Sequence, residues 1–336
     1  MTKSMKTVSP IVIVGLVFLA LATLSLGTGS MQIDPSALFS ALLGTGDPGT
    51  SLIVWSIRLP RLVLAALAGA SLALAGAILQ GITRNGLADP GILGLTAGAG
   101  LAVTGLIWLQ SNGIAVEPHW RPAVAFGGAA FAAMITAVAA RRDGVIAPVR
   151  LLLAGIGMNA LIGAATLVIA MGLDRELYSA ATVWLSGSLS GAGWSASATL
   201  APWLVILALA LAAQTRQLDL LSLDDETAAG RGLAVDRCRL RVAAIAVGLA
   251  GAGVAFSGGI GFVGLVAPHM ARLMVGPKHA LALPLAALCG AAVTVAADLI
   301  GRTVFAPVEL PAGIVASALG APWFIWLMWN GKDMKG

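Results

Sequence analysis

The sequence predicts an all-α, polytopic membrane protein with about ten transmembrane helices and both termini on the cytoplasmic side. Composition is the first observation behind this. Of 336 residues, 58% are hydrophobic and only 10% are charged, and the mean hydropathy is +0.94. Soluble domains carry about 25% charged residues, so a soluble domain of ordinary size is excluded. Length is the second. A span takes about 20 mostly apolar residues, and short turns between the runs leave room for roughly ten. The third is where the charge lies. Residues 214–241 form the one long polar break, holding Asp219, Asp224, Asp225, Glu226 and Asp236 with Arg216, Arg231, Arg237, Arg239 and Arg241. So apolar a chain that gathers charge in one loop is expected to touch a soluble partner there. The whole chain, 1–336, reads as a single transmembrane domain.

Taken in order, the apolar runs are 10–29, 62–81, 92–110, 122–140, 149–171, 195–213, 240–257, 261–275, 281–300 and 311–329. Turn chemistry separates them at Gly46-Asp47-Pro48-Gly49, Asn85-Gly86, Asp89-Pro90-Gly91, Asp143-Gly144 and Gly276-Pro277. Residues 33–43 are too short to span and predict an interfacial helix, with Asp34 as N-cap and Pro35 in its first turn. The first run lacks a small-residue cleavage site and reads as a retained span. The eighth is short, opens on Gly258, Gly259, Gly261 and Gly264, and contains Pro268. Irregular backbone at membrane depth needs protein or a water-lined cavity around it, so this segment is expected inside the bundle. Many of the 42 glycines stand at small-xxx-small spacing, such as Gly94, Gly98 and Gly105, or Gly155 and Gly163. Such residues let helices in lipid approach closely. The two cysteines, Cys238 and Cys289, argue against a disulfide framework and read as structural.

Ten spans place both ends on one side, and the basic residues sort accordingly. One side receives Lys3, Lys6, Arg84, Arg141, Arg142, Arg150, Arg216, Arg231, Arg237, Arg239, Arg241, Arg272, Lys278, Lys332 and Lys335; the other receives Arg58, Arg61, Arg121, Arg175 and Arg302. By the positive-inside rule the richer side, with the 214–241 loop, is cytoplasmic. The net charge of +5 then reflects a basic face meeting anionic lipid, and no nucleic-acid partner is expected.

Several motifs follow one another along the chain: Arg58-Leu59-Pro60-Arg61, GAILQGITRNGLADPGILGLTAGAG over 76–100, Trp184-Leu185-Ser186-Gly187-Ser188, LDDETAAGRGL over 223–233, GGIGFVGLVAPHMAR over 258–272 and ELPAGIVASALGAPWF over 309–324. Together they resemble the FecCD permease family, which includes ferric-siderophore and vitamin B12 permeases, and the resemblance runs from about residue 10 to 330. It implies a type II ABC importer permease fold and a set of partners. These are a second permease subunit, identical or paralogous, two cytoplasmic P-loop ATPase subunits, a periplasmic or lipid-anchored binding protein, and an iron chelate as cargo, with a ferric siderophore the expected one and haem or cobalamin, carried by the same mechanism, the alternative. It places the chain in the bacterial inner membrane. Three positions depart from the family pattern. Gly86 replaces a usual proline and loosens a turn, while Asp224 replaces a glycine and Arg231 a leucine in the loop facing the ATPase.

The resemblance assigns roles to residues at both faces. Leu221, Asp224, Asp225, Glu226, Ala228, Gly230 and Gly232 fall where relatives have the helices that couple to the ATPase. The residues themselves read as one or two short amphipathic helices divided by the glycines, with acids near a helix start. Arg58, Arg61 and Arg302 match outer-face arginines that receive carboxylates of a binding protein, a task suited to the forked guanidinium. Snorkelling anchors, or an internal Arg302–Asp298 pair, are the alternative. Met158, Asn159 and Thr166 lie in the span that lines the pathway in the family, although an amide in lipid also bonds neighbouring helices. Asn85 and Asp89 sit at the inner end of the second span, as a gate or as a capped turn.

The chain contains no G-x-x-x-x-G-K-[ST], so a P-loop nucleotide site is not expected in it, and ATP with magnesium is left to the partner subunit. No cofactor and no catalytic residue is expected. His269 has no second histidine at metal spacing and reads as structural. Two rivals come from other classes. A gradient-driven secondary transporter needs a membrane-embedded acid, for which Asp298 is the candidate, and an intramembrane hydrolase would pair Ser186 or Ser188 with His269.

Overall fold

The computed structural model describes residues 2–29, 31–142, 145–146 and 148–329. The expected turn at Asp143-Gly144 and the basic residues Lys332 and Lys335 lie outside them.

The ten apolar runs each become a helix, most with ends shifted by a few residues, although the first helix starts well before its run, at Thr2. These are α1 (Thr2–Gly27), α4 (Leu59–Thr83), α5 (Leu95–Ser111), α6 (Arg121–Ala140), α7 (Pro148–Ala170), α9 (Trp194–Ala212), α12 (Val235–Ser257), α13 (Val263–Val275), α14 (His279–Thr303) and α15 (Ala312–Trp329). Among the described residues, seven helices are long and apolar enough to cross a membrane, while α5, α13 and α15 are shorter apolar helices. Between them stand α2 (Pro35–Leu42), α3 (Pro48–Leu52), α8 (Arg175–Leu185), α10 (Thr215–Leu221) and α11 (Asp225–Gly230). A two-residue antiparallel ladder pairs Arg141 with Ile146 and Arg142 with Val145.

Three features differ from the sequence reading. α3 runs through a π-helical turn, Ile53–Arg58, into α4, so one helical stretch covers residues 48–83. α8 is an additional helix, started by Asp174, whose side chain accepts from the Leu177 N–H. α12 begins inside the polar break, so Asp236, Arg237, Arg239 and Arg241 stand on its first turns. Helix propensity allows this, because arginine is among the better helix formers.

α4 lies at the centre, against α14, α12, α13 and α9. Its sequence is apolar all round, and a helix without a polar face is buried. Its small residues set the spacing. A Cβ on Gly69 would lie 2.3 Å from the Gly290 carbonyl oxygen of α14, and one on Gly76 would lie 1.8 Å from that of Gly264 in α13. These backbones meet without side chains between them, as expected of glycine in lipid. Of the small-xxx-small sets named above, Gly98 and Gly155 make close backbone contacts, whereas Gly105 and Gly163 have nothing within 4 Å of a built Cβ. α13 is buried from Val263 to Pro268, as its glycine-rich start led one to expect.

Candidate functional site

Polar side chains gather at the two ends of the bundle. At the first end the C-terminus of α1 meets the start of α4 and the end of α14. Arg58 is only 7% exposed. It donates to the Leu26 carbonyl at 2.6 Å and to the Met31 carbonyl. Arg302 donates to the Thr28 carbonyl at 2.8 Å, to the Ser25 hydroxyl at 2.8 Å and to the Ser25 carbonyl. The last carbonyls of a helix have no partner within it, and α1 has no basic residue in its own last turn. Two arginines from other helices supply that cap, where cations also suit the helix dipole.

Arg61 has a different set of partners. Its Nη2 lies 2.9 Å from Asp298 Oδ1, and its Nη1 lies 3.0 Å from Glu309 Oε2. Asp298 is 4% exposed and also has Arg302 Nε at 3.5 Å, whereas the Glu309 side chain is 49% exposed. The five charged residues, with Ser25, Gly29 and Met31 among others, line a cavity of about 270 Å³. The three arginines expected at a docking face are thus brought together, but they are not equivalent. Arg58 and Arg302 hold α1, while Arg61 reaches the surface through Glu309. Glu309 opens the 309–324 motif, but no local spacing points to its pairing with Arg61, which lies 248 residues earlier in the chain.

At the opposite end the polar break folds over the ends of α4 and α9 and the starts of α12 and α14. Leu218, Leu221 and Ala228 are buried beneath it. Asp224 caps α11, accepting the Thr227 N–H at 2.8 Å, and that bond holds its carboxyl below the usual range. Asp225 accepts from Arg84 and, at 3.0 Å, from Arg239. Burial alone would raise the Asp225 carboxyl, but the two guanidiniums outweigh it and hold it low. Asp219 accepts the His279 backbone N–H at 3.0 Å and meets its Nδ1 at 2.7 Å, fastening α10 to the start of α14. Glu226, Gly230, Arg231 and Gly232 face outward. The expected coupling residues therefore divide into an inner set that anchors the segment (Leu221, Asp225, Ala228), the helix cap Asp224, and an outer set (Glu226, Gly230, Gly232) open to a partner.

The pathway candidates divide as well. Asn85 Oδ1 accepts the Leu87 N–H at 2.9 Å, closing a local turn, and Asp89 Oδ1 accepts the Gly91 N–H at 2.8 Å. Asn159 donates to the Gly91 carbonyl at 2.9 Å, and Met158 packs beside Gly94. Asn85, Met158 and Asn159 thus share the turn after α4. Thr166 does not join them: its hydroxyl donates to Ile162 of its own helix and is buried. The outward face of α7 instead carries Leu153, Ile156, Gly157, Ala160, Leu161 and Leu167, which a search for polar pathway residues passes over.

Three motifs far apart in sequence meet in space. The Gly313 N–H donates to the Gly187 carbonyl at 2.9 Å. A Cβ on Gly187 would lie 2.8 Å from the Gly259 carbonyl oxygen, and one on Gly258 would lie 2.1 Å from that of Trp184. His269 packs edge-on against Trp323, with ring centroids 5.3 Å apart. The hydroxyls of Ser186 and Ser188 are bonded to Thr182 and Ser190. Among the described residues no three of His, Cys, Asp or Glu converge as metal ligands.

A bundle of ten apolar helices among the described residues, with its charge drawn to both ends and a folded polar segment across one of them, defines a multi-pass membrane protein. The chain belongs to the FecCD transport family, whose model matches residues 16–330. It is 39% identical to the iron(3+)-hydroxamate import system permease protein FhuG of Bacillus subtilis, over 96% of this chain and 98% of that one. It is 41% identical to the achromobactin transport system permease protein CbrC of Dickeya dadantii, over 97% and 92%. A solved inward-facing conformation of a metal-chelate type ABC transporter matches with a TM-score of 0.82 at 28% identity, covering 95% of this chain and 98% of that one. The fold is therefore that of an ABC importer permease, as the ordered motifs implied.

Proposed function

We propose that this chain is the membrane-spanning subunit through which a bacterial ABC importer carries an iron chelate, a ferric siderophore, across the inner membrane. The observation that carries this reading is the near end-to-end match to permeases named for iron-hydroxamate and achromobactin import. In this reading the whole chain acts as one transmembrane domain, with the α10–α11 end and both termini in the cytoplasm. Two such subunits, identical or paralogous, flank the route. Two ATPase subunits dock on the outward residues Glu226, Gly230 and Gly232, and ATP with magnesium is bound and hydrolysed there. The subunit itself uses no cofactor and forms no covalent intermediate. Transport proceeds by alternating access as the ATPase pair closes and opens.

A binding protein delivers the chelate at the Arg61 end. Guanidinium–carboxylate pairs give such a contact both geometry and charge, and Arg61 with its surface partner Glu309 is where a new carboxylate can enter. The outward face of α7, built of small and aliphatic residues, suits a route that must release a bulky cargo. A gradient-driven transporter is disfavoured, since Asp298 is held between two arginines.

The test is uptake of labelled ferric hydroxamate, ferric catecholate, ferric citrate, haem and cobalamin by cells with and without the gene. Loss of one ferric siderophore alone supports the proposal. Loss of haem or cobalamin alone would keep the importer and overturn the cargo. Co-purification of a P-loop ATPase with the tagged chain tests the partner independently.

A further inference from the structure

The polar segment and α7 are separated by α4 and by the turn that follows it, yet a continuous set of polar contacts joins them. Arg84 ends α4 in the left-handed conformation, at φ 51° and ψ 32°. Such a backbone is uncommon for a residue with a side chain, and it is retained here while the guanidinium forks. Nε donates to the Leu221 carbonyl at the end of α10 at 3.0 Å, and Nη2 donates to Asp225 in the first turn of α11. Beyond Arg84 the chain turns tightly. Asn85 and Asp89 each close a local ring onto a following N–H, so the turn moves as a unit. Its far side is seated on α7. A Cβ on Gly155 would lie 1.8 Å from the Ile92 carbonyl oxygen, and Asn159, one helical turn on, donates to the Gly91 carbonyl at 2.9 Å.

We propose that Arg84 is a positioning residue which, through this turn and Asn159, transmits movement of α10–α11 to α7. The inference rests on the importer reading above. Arginine suits the first step because its rigid planar fork fixes two acceptors on two helices in one geometry, whereas a lysine ammonium is a flexible point charge. Asn159 is required at the last, because the Gly91 carbonyl takes one donor from the Gly94 N–H of its own turn, at 3.0 Å, and only the Asn159 amide ties its second acceptor site to α7. Continuity in space is not coupling, so the test measures coupling directly.

The complex is purified through a tag on this chain from its native host and placed in proteoliposomes. Chelate delivered per ATP hydrolysed is measured for the wild type, Arg84→Ala, Arg84→Lys, Asn159→Ala and the Arg84→Ala/Asn159→Ala pair, each at equal recovered complex. The expected result is a fall of about tenfold in that ratio for either alanine variant, with no further fall in the pair, because residues in one network are non-additive. Arg84→Lys should recover part of the ratio. An unchanged ratio in Arg84→Ala, or a loss in the pair that is the product of the single losses, would overturn the relay while leaving the importer standing. A wild-type chain that recovers no ATPase overturns the importer reading, and the relay with it.

Discussion

Arg61 and Asp298 stand 237 residues apart in sequence, yet the Arg61 Nε–H donates to Asp298 Oδ1 at 3.0 Å and Nη2 lies 2.9 Å from the same oxygen. This pair, with Arg302 on the other carboxylate oxygen, joins α4 to α14 at the end of the bundle where α1 also closes. It turns a buried charge, costly by itself, into a tie between helices.

The first prediction concerns that tie. Asp298→Ala leaves Arg61 and Arg302 without their buried carboxylate, and breaking a buried pair typically costs about 3–5 kcal/mol. The variant is expected to melt well below the wild type in detergent, by fluorescence-monitored unfolding. The Arg61→Ala/Asp298→Ala pair should lose less than the sum of the two single losses, since the partners are coupled.

Glu309 leads to a second. Its side chain is half exposed and holds only one nitrogen of Arg61. Exposed pairs contribute about 0–1 kcal/mol, so Glu309→Gln should barely change thermal stability. It frees Arg61 for an incoming carboxylate, and the binding protein should therefore dock severalfold more tightly, whereas Arg61→Glu should weaken docking. Titration of labelled binding protein onto the reconstituted permease reads both. Arg58→Glu is a poorer probe, because it also removes the cap from α1.

The third concerns acid. Asp225 is depressed in the folded chain by Arg84 and Arg239. A depressed carboxyl contributes its stability above the unfolded value of about 3.9 and loses it as pH falls through the folded value. Limited proteolysis within residues 214–241 should therefore stay slow at neutral pH and accelerate only below about pH 4. Asp225→Asn should show the fast cleavage already at pH 7.

Packing supplies the fourth. Gly76→Ala would drive a Cβ into the Gly264 carbonyl, 1.8 Å away. Overpacking costs about 1–3 kcal/mol or more, and here the obstacle is backbone. Loss of folded protein in the membrane is expected, measured by fluorescence-detected size-exclusion chromatography. Gly105→Ala meets nothing within 4 Å and should be neutral or slightly stabilising.

The bundle was legible in the chain because lipid imposes a simple rule on sequence. A run of apolar residues long enough to cross must be a helix, so the boundaries of α6, α9, α14 and α15 follow almost directly from where polar residues resume. The charged segment and its acidic helix start were equally readable, since Asp224 caps α11 through contacts three residues away. α8 was not: at 11 residues it is too short to span, so the search for long apolar runs passes over its amphipathic pattern and its Asp174 cap.

What the sequence by itself determined was the class of the molecule, its ten helices and the residues gathered at each end, because these depend on local composition and on neighbours a few positions apart. Which arginine caps α1 and which pairs with Asp298, that Glu309 reaches Arg61, and that Asn159 holds the turn behind Arg84 were decided only by the tertiary structure. These contacts join residues tens to hundreds of positions apart. Their partners are selected by how α4 nests among α12, α13 and α14, and that nesting is set by glycine-to-backbone distances of a few ångström, which local hydropathy does not encode.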